Sequence, residues 1–223
     1  MARTEDKTRL NEAFAQVAKG LAHANRIELL ELLAQGERDV DSLSQCSGLS
    51  VANTSHHLRL LRQCGLIRSR QEGQRVIYRL CSDEVVLLIL QLHRVAVDNL
   101  PELDRLLAER FPVDRPGSSV SPQELARLLH EHPVRVLDLR PAPEYAAGHV
   151  PGAQCHSLES LQELPAASGD QECVVYCRGA FCLAPYRAAE ILAAKGYCVR
   201  RLEGGFPAWR ISGLSVEREP GSD

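Results

Sequence analysis

The stretch SVANTSHHLRLLRQCGLIRSRQEGQRVIYRL, residues 50–80, changes its hydrophobic period part-way along. Leu58, Leu61 and Cys64 recur at helical spacing behind Ser50, a residue type that caps helix N-termini. From residue 66 onward, apolar and polar residues alternate on both sides of a Gln-Glu-Gly-Gln turn, which is the pattern of a β-hairpin. The stretch therefore predicts a helix followed by a basic two-stranded hairpin.

Helical patterns also precede this stretch. Residues 10–36 carry apolar residues at helical spacing and end at Gly36, and residues 40–50 are typical of a short helix followed by a turn at Gly48. The apolar positions of the first segment are Phe14, Val17, Leu21, Ile27, Leu30 and Leu33. Helices, a tight turn, a further helix and a basic hairpin, in this order, predict a winged helix-turn-helix.

The predicted helix and hairpin are locally basic. Residues 50–82 contain six arginines and a single glutamate, within a chain of net charge −3. A helix in the major groove needs short polar groups for base edges and arginines for phosphates, so double-stranded operator DNA is the predicted partner. The predicted contacts with bases are Ser50, Asn53, Thr54, Ser55, His56 and His57. The predicted contacts with the phosphate backbone are Arg59 and Arg62 from the helix, and Arg68, Arg70 and Arg75 from the hairpin.

The segment EVVLLILQLHRVAVDN, residues 84–99, is apolar on too many sides for a helix on the surface of a monomer. A helix of this kind is normally buried, and a second copy of the chain is a natural partner. The sequence therefore predicts a homodimer.

Composition limits where the protein works. No stretch approaches the roughly 18 uninterrupted apolar residues of a membrane span, and the N-terminus lacks the apolar core of a signal peptide. The eight cysteines are then expected in a reducing cytoplasm, as thiols or nucleophiles rather than as a disulfide framework. We expect a cytoplasmic protein with no membrane partner.

The chain is predicted to divide at FPVDRPGSSVSPQEL, residues 111–125, where prolines, serines and a glycine interrupt the helical pattern. The predicted domains are residues 1–113 and residues 120–223. In the second domain, apolar strands alternate with helices, which indicates a parallel sheet covered on both faces. The predicted fold class is therefore mixed, with a mainly α winged helix-turn-helix domain followed by an α/β domain.

Cys177 ends the second apolar strand of that domain, within ECVVYCRGAFC, residues 172–182. Reactive groups in parallel sheets lie just past the carboxyl end of a strand, beside the next helix N-terminus. Loop amides, that N-terminus and Arg178 are expected to lower the pKa of the Cys177 thiol and make it a nucleophile. A structural cysteine at a strand end is the alternative.

Residues 21–80, from LAHANRIELL to GQRVIYRL, resemble the arsenical-repressor (ArsR-type) family of transcription regulators. The resemblance implies a homodimer that binds an operator dyad. It also has a departure, because metal-sensing members often carry Cys-x-Cys where this chain has Asp39-Val40-Asp41. The terminal helix has a lone His93 in place of the zinc-sensing aspartate and histidine pairs. Cys46, Cys64 and Cys81 remain as packed thiols or, alternatively, as a site for a soft metalloid.

Residues 121–217 resemble a rhodanese through three motifs in the family's order, VLDLRPAPEYAAGHVPGA, YCRGAFC and LEGGFPAWRISGLSVE. Carried over by position, Cys177 would hold a persulfide and residues 178–182, among them Arg178 and Gly179, would form a cradle of backbone amides around it. Asp138 and Arg140 would clamp the neighbouring loop, and His149 belongs to the Gly-His-Val-Pro turn. These roles are what the resemblance implies.

The last cradle position departs from active rhodaneses, which often have arginine, threonine or serine where this chain has Cys182. That thiol can resolve a persulfide on Cys177, capture a metalloid together with Cys177, or simply pack at a helix start. Cys173 and Cys198 lie in apolar strands and are expected in the core, whereas Cys155 fits a core or an edge position.

These features predict a transcription regulator, most simply a repressor, whose rhodanese-like domain senses reactive sulfur or another thiol-reactive species through Cys177. Two alternatives stay open: a working sulfurtransferase tethered to a DNA-binding domain, and a metalloid or oxidant sensor using Cys177 and Cys182. We expect no cofactor and no bound metal ion.

Overall fold

The computed structural model describes residues 2–111, 117–168 and 171–219. The chain separates into two compact units, residues 1–92 and residues 93–223. The domain boundary predicted within residues 111–125 stays a prediction, and residues 112–116 of that segment lie outside the described residues.

The first unit is mainly helical. Its helices are α1 (Ala2–Leu21), α2 (Ala24–Leu33), α3 (Val40–Ser47) and α4 (Val51–Gln63), and α5 (Glu84–Asn99) begins in it. Its strands are β1 (Arg38–Asp39), β2 (Ile67–Glu72) and β3 (Arg75–Leu80). The strands form an antiparallel sheet in the order β1-β3-β2, and the β2–β3 hairpin is the predicted wing.

Local chemistry sets the ends of α3 and α4, which form the helix-turn-helix. The Asp39 side chain accepts from the backbone N–H of Ser42, and Gly48 ends α3 in the left-handed conformation that glycine adopts without strain. The predicted N-cap of α4 is confirmed, because the Ser50 side chain accepts from the backbone N–H of Asn53.

The core of the first unit follows the apolar pattern only in part. Leu58, Leu61 and Cys64 are buried as predicted, together with Leu29 and Leu30 of α2. The apolar face of α1 behaves differently. Phe14 is 67% exposed and Val17 is 37% exposed, so α1 does not bury its apolar residues within one chain.

The second unit contains a five-stranded, wholly parallel sheet in the order β4-β8-β7-β5-β6. Its strands are β4 (Ser119–Val120), β5 (Arg135–Asp138), β6 (Gln154–Cys155), β7 (Glu172–Tyr176) and β8 (Cys198–Leu202). Its helices are α6 (Pro101–Arg110), α7 (Pro122–Glu131), α8 (Ala142–Ala147), α9 (Ala184–Ala193) and α10 (Gly205–Ile211), with a 3₁₀ turn at Ser160–Glu163. The predicted α/β class is confirmed.

Both faces of this sheet are covered, as the continuous apolar strands predict. Successive residues of β7 alternate between two buried clusters: Val174 and Tyr176 pack with Trp209, whereas Cys173 and Val175 pack with Leu192. A strand buried on both faces is apolar along its buried length, which explains the run CVVY at residues 173–176.

Cys198 does not lie in the core that its sequence context predicts. Its side chain is exposed, although it lies in an apolar strand and was expected in the core. It is the first residue of β8, where the strand has only just entered the sheet, while Leu202 at the far end is buried.

Among the described residues, no helix is both long and apolar enough to cross a membrane.

Candidate functional site

The cysteine loop, residues 177–183, connects the end of β7 to the start of α9. Cys177 is only 5% exposed, and Cys182 is half-buried one residue before the Leu183 N-cap position of α9. The two sulfur atoms lie 2.9 Å apart and share a hydrogen bond. The loop therefore brings together the two cysteines that are five residues apart in sequence.

The first residues of α10 pack against the backbone of the cysteine loop. The backbone N–H of Phe206 donates to the Cys177 carbonyl at 3.1 Å. Gly205, at φ +61°, approaches so closely that an added Cβ would lie 2.4 Å from that carbonyl oxygen and 2.8 Å from the Gly179 nitrogen. Only glycine fits this contact, so the motif LEGGFPAW serves to position the cysteine loop.

Arg178 has a partner that no sequence motif indicates. Its Nε and Nη2 atoms donate to the Glu144 carboxylate of α8 at 2.5–3.0 Å, and the Glu144 side chain is buried. A buried carboxylate needs a cation, and this pairing directs the guanidinium charge to Glu144. The only sequence signal was an acidic residue in the first turn of the predicted short helix.

The two thiols do not ionise alike. The hydrogen bond between the sulfurs lowers the pKa of Cys182 to about 6, and backbone N–H groups of Ala184 and Arg178 act in the same direction. The same hydrogen bond, followed by burial, raises the pKa of Cys177. The predicted lowering of the Cys177 pKa is therefore wrong for the reduced pair, because the neighbouring sulfur and burial both raise it.

Asp138 and Arg140 form the loop clamp that the rhodanese resemblance implies. Both side chains are fully buried, and Arg140 Nη2 donates to Asp138 Oδ2 and to the Gly148 carbonyl, each at 2.6 Å. His149, the next residue, is buried and stacks on Tyr145 with ring centroids 3.8 Å apart. These groups fix the turn before β6 and do not reach the sulfurs by any described hydrogen bond.

The other cysteines are dispersed. Cys173 is fully buried, which raises its pKa to about 12, and Cys155 and Cys46 are exposed. Cys64 is buried and Cys81 is half-buried. Within the described ranges, no three His, Cys, Asp or Glu residues are grouped so that they could hold a metal ion.

The α4 helix presents most of its predicted DNA contacts to solvent. The exposed members of the predicted set are Ser50, Asn53, Ser55, His56, Arg59, Arg62, Arg68, Arg70 and Arg75. Thr54 and His57 depart from the predicted set of DNA contacts, because both side chains are buried. Thr54 Oγ1 donates to the Ser50 carbonyl at 3.0 Å, and the His57 ring packs 4.6 Å from that of His23. They lie on the inner stripe of α4, one position away from the outward-facing residues.

The wing arginines already have acidic neighbours. Arg70 pairs with Glu37, and Arg75 lies 3.4 Å from an Asp39 oxygen. Both arginine side chains are exposed to solvent, which weakens their ion pairs, so phosphate groups can compete for these guanidinium groups. The hairpin can thus approach a DNA backbone without losing much stability.

Comparison with known proteins identifies the family. Residues 23–69 match the arsR family of bacterial regulatory proteins, and residues 121–212 match the rhodanese-like domain. HTH-type transcriptional regulator Rv0324 of Mycobacterium tuberculosis is 34% identical over 215 residues, covering 96% of this chain and 94% of that protein. The chain belongs to the arsR family. This arsR-family protein is a transcription regulator with a winged helix-turn-helix and a C-terminal rhodanese-like domain, as predicted.

Other relatives of the arsR-family protein match its N-terminal part. The transcriptional activator HlyU of Vibrio cholerae is 40% identical over 77 residues, covering 34% of this chain and 71% of HlyU. A solution structure of a homodimeric winged helix-turn-helix DNA-binding domain from Mycobacterium bovis is 35% identical, with a TM-score of 0.41, and covers 43% of this chain and 89% of that one.

Proposed function

We propose that the arsR-family protein is a repressor that senses reactive sulfur by converting the Cys177 and Cys182 thiols into a disulfide. The observation that supports this proposal is the 2.9 Å separation of the two sulfurs at the end of β7. A disulfide needs about 2.05 Å between sulfurs, so the pair closes by less than 1 Å of sulfur movement, within reach of side-chain rotation.

The surroundings of the pair favour sensing over bulk sulfurtransferase turnover. An enzyme that binds thiosulfate needs a cation for the anionic substrate, but the Arg178 guanidinium is engaged by Glu144 and the last loop position is Cys182. A second thiol close by also reacts with any persulfide formed on the loop before an external sulfur acceptor can reach it. The pair is suited to a single oxidation that a cellular reductant reverses.

DNA binding belongs to α4 and the β2–β3 wing. In this proposal Asn53 and His56 meet base edges, and Arg59 and Arg62 meet phosphates. The protein acts as a homodimer, since α1 and α5 leave apolar side chains such as Phe14, Leu87 and Leu88 exposed in one chain.

The test measures DNA affinity of the full-length protein. A duplex is first selected from a random library with fully reduced protein, and its binding is then followed by fluorescence anisotropy with and without sodium polysulfide. We expect polysulfide to weaken binding about tenfold or more, and dithiothreitol to restore it. Cys198→Ser, which removes an exposed cysteine away from the loop, should respond like the wild type.

The Cys177→Ser and Cys182→Ser variants should each lose the response to polysulfide. Arsenite and hydrogen peroxide are added in parallel at the same concentration. If arsenite or peroxide changes the affinity while polysulfide does not, the sensed species is a metalloid or an oxidant and the sulfur assignment is wrong.

A further inference from the structure

Arg178 presents its backbone to the two sulfurs and its side chain to a carboxylate. The sulfur–sulfur hydrogen bond is the largest influence on the pKa of each thiol, and the backbone N–H of Arg178 is a smaller one that favours the thiolate at both. The guanidinium group donates to Glu144 through Nε and Nη2, at 2.5–3.0 Å. The loop therefore offers the sulfurs a neutral N–H group of this residue, while the carboxylate holds the cation.

The Glu144 carboxylate is fixed and buried. Its side chain is 1% exposed in the first turn of α8, where its backbone N–H donates to the Pro141 carbonyl at 2.9 Å. A buried carboxylate stays with its cation, because separation would leave a charge without a partner in a medium of low polarity. The Arg178 side chain is 37% exposed, so one side of the pair faces solvent. A sulfur donor that reaches the loop meets a closed ion pair.

A closed ion pair attracts an anion far less than a single cation does, because its opposite charges largely cancel at the distance of a bound molecule. The Leu139 carbonyl oxygen, 4.0 Å from Cys177 Sγ, adds a partial negative charge near the sulfurs. The Asp138–Arg140 pair on either side of Leu139 is also closed and fully buried. This arrangement penalises a doubly charged sulfur donor more than a neutral or singly charged one.

We propose that Glu144 is a specificity-determining residue, which restricts the sulfur donor of the cysteine pair to hydropersulfides and disfavours thiosulfate. A hydropersulfide RS–SH is neutral or carries one negative charge, whereas thiosulfate carries two. This inference rests on the proposed sensing of reactive sulfur by the same pair, and it holds whichever sulfur of the pair attacks first.

Both donors react by the same chemistry. A cysteine thiolate of the pair attacks the sulfane sulfur, and the sulfur–sulfur bond of the donor breaks with its electron pair on the leaving group. The leaving group is RS⁻ from a hydropersulfide and sulfite from thiosulfate, and the product is a cysteine persulfide. The other cysteine thiolate then attacks the cysteine sulfur of the protonated persulfide, and HS⁻ leaves. Two cysteine sulfurs are oxidised to a disulfide, and the sulfane sulfur is reduced to sulfide.

The experiment measures how fast the Cys177–Cys182 link forms in the full-length protein, by peptide mapping without reductant. The donors are 2-hydroxyethyl hydropersulfide and sodium thiosulfate at equal concentration. In Glu144→Gln the Arg178 guanidinium faces an amide in place of a carboxylate. The rate with thiosulfate, relative to the rate with hydropersulfide, should therefore rise about tenfold or more. Both rates come from the same protein, so a general effect on folding cancels in their ratio.

The matched control is Glu124→Gln, which also removes a carboxylate from an arginine–glutamate pair. Its partner Arg200 bonds to Glu172 as well, at the opposite end of β7 from the cysteine loop. This variant should keep the wild-type ratio of the two rates.

A second measurement uses the wild type alone. A thiolate and a thiosulfate dianion repel each other, so sodium chloride should speed the wild-type reaction with thiosulfate by screening the two charges. A reaction that slows with added salt, or an unchanged ratio in Glu144→Gln, overturns the assignment to Glu144 while leaving the sensing proposal intact. Wild-type protein that keeps both thiols in hydropersulfide overturns both.

Discussion

Single residues decide the chemistry of the cysteine loop. Glu144 engages the guanidinium group beside Cys177, and Cys182 supplies a second sulfur where a rhodanese often has an anion-binding side chain. Sequence motifs located Cys177, Cys182 and the Asp138–Arg140 clamp, because each lies within a recognisable string of residues. The Arg178–Glu144 pair joins residues 34 positions apart, and a short-range pattern does not encode such a contact.

The Arg178–Glu144 pair should contribute measurably to stability. Removing Glu144 by Glu144→Ala leaves Arg178 without its carboxylate, and breaking a buried pair costs several kcal/mol. Because the Arg178 side chain is 37% exposed, water replaces part of that interaction, and we expect a loss of about 1–3 kcal/mol. Urea unfolding measures it.

The matched control for this prediction is Glu131→Ala, which removes the more exposed Arg127–Glu131 pair of α7, whose side chains are 61% and 50% exposed. It should cost less than about 1 kcal/mol. Equal losses in the two variants would show that the Arg178–Glu144 pair is no more than a surface ion pair.

The reactivity of Cys182 should depend on pH with an inflection near 6. Because the pKa of Cys182 is lowered to about 6, the reactive thiolate is present above that pH and is lost as the pH falls through it. Cys177→Ala removes the thiol that hydrogen-bonds to Cys182, so the inflection should move upward. Iodoacetamide kinetics from pH 5 to 9, read at Cys182 by mass spectrometry, measure both values; an unmoved inflection in Cys177→Ala would disprove the coupling.

At the scale of elements, the strongly periodic helices and strands were predictable from the sequence. The burial of individual side chains on them was not. The wing, the α4 helix and the parallel strands follow from patterns that repeat over many residues. Thr54 and His57 were assigned to the DNA face because a polar residue on a helix is normally exposed. Here Thr54 donates to the Ser50 carbonyl and the His57 ring packs against His23, and both are buried. Cys198 shows the reverse case, since the first residue of an apolar strand remains exposed.

The contact between α10 and the cysteine loop should be disrupted by a Cβ atom at position 205. Gly205→Ala places a methyl group against the Cys177 carbonyl and the Gly179 nitrogen, so the loop must move. We expect slower closure of the Cys177–Cys182 link and a loss of stability of about 2–4 kcal/mol. Thermal unfolding and thiol titration measure the two effects.

Gly213→Ala is the control, because Gly213 also has a positive φ, +71°, but no atom lies within 4 Å of its added Cβ. It should cost about 1 kcal/mol and leave the thiols unchanged. If Gly205→Ala behaves like Gly213→Ala, the close approach does not constrain the loop.

The arginines of α4 should contribute to DNA affinity independently of the base sequence. Arg59→Ala and Arg62→Ala remove phosphate contacts, so affinity should fall for every duplex and the salt dependence should weaken by roughly one unit per contact. Asn53→Ala should instead relax base preference. Arg187→Ala, an exposed arginine of α9, is the control; wild-type binding by all the α4 variants would exclude α4 as the recognition helix.

For the whole molecule, the sequence predicted two domains of different chemistry, and the family comparison confirms both. What joins their functions could not be read from the sequence, because coupling depends on how a change at one site alters another equilibrium rather than on a motif. The apolar residues of α1 and α5 suggest that the unit of function is a pair of chains.

Dimer formation should depend on the exposed apolar face of α1. Phe14 is 67% exposed in one chain, and Phe14→Glu would place a charge in the proposed interface. We expect a dimeric mass for the wild type at micromolar concentration and a monomeric mass for the variant, measured by light scattering. A wild-type protein that stays monomeric, also with DNA present, would contradict the dimer.

The most direct test of the central proposal compares two quantities in one polysulfide titration of the full-length protein on its selected duplex. Peptide mapping without reductant gives the fraction of chains with a Cys177–Cys182 link, and anisotropy gives the fraction of DNA bound. We predict that bound DNA falls in proportion as the link forms, and that dithiothreitol reverses both. A link that goes to completion while DNA binding is unchanged would contradict the account.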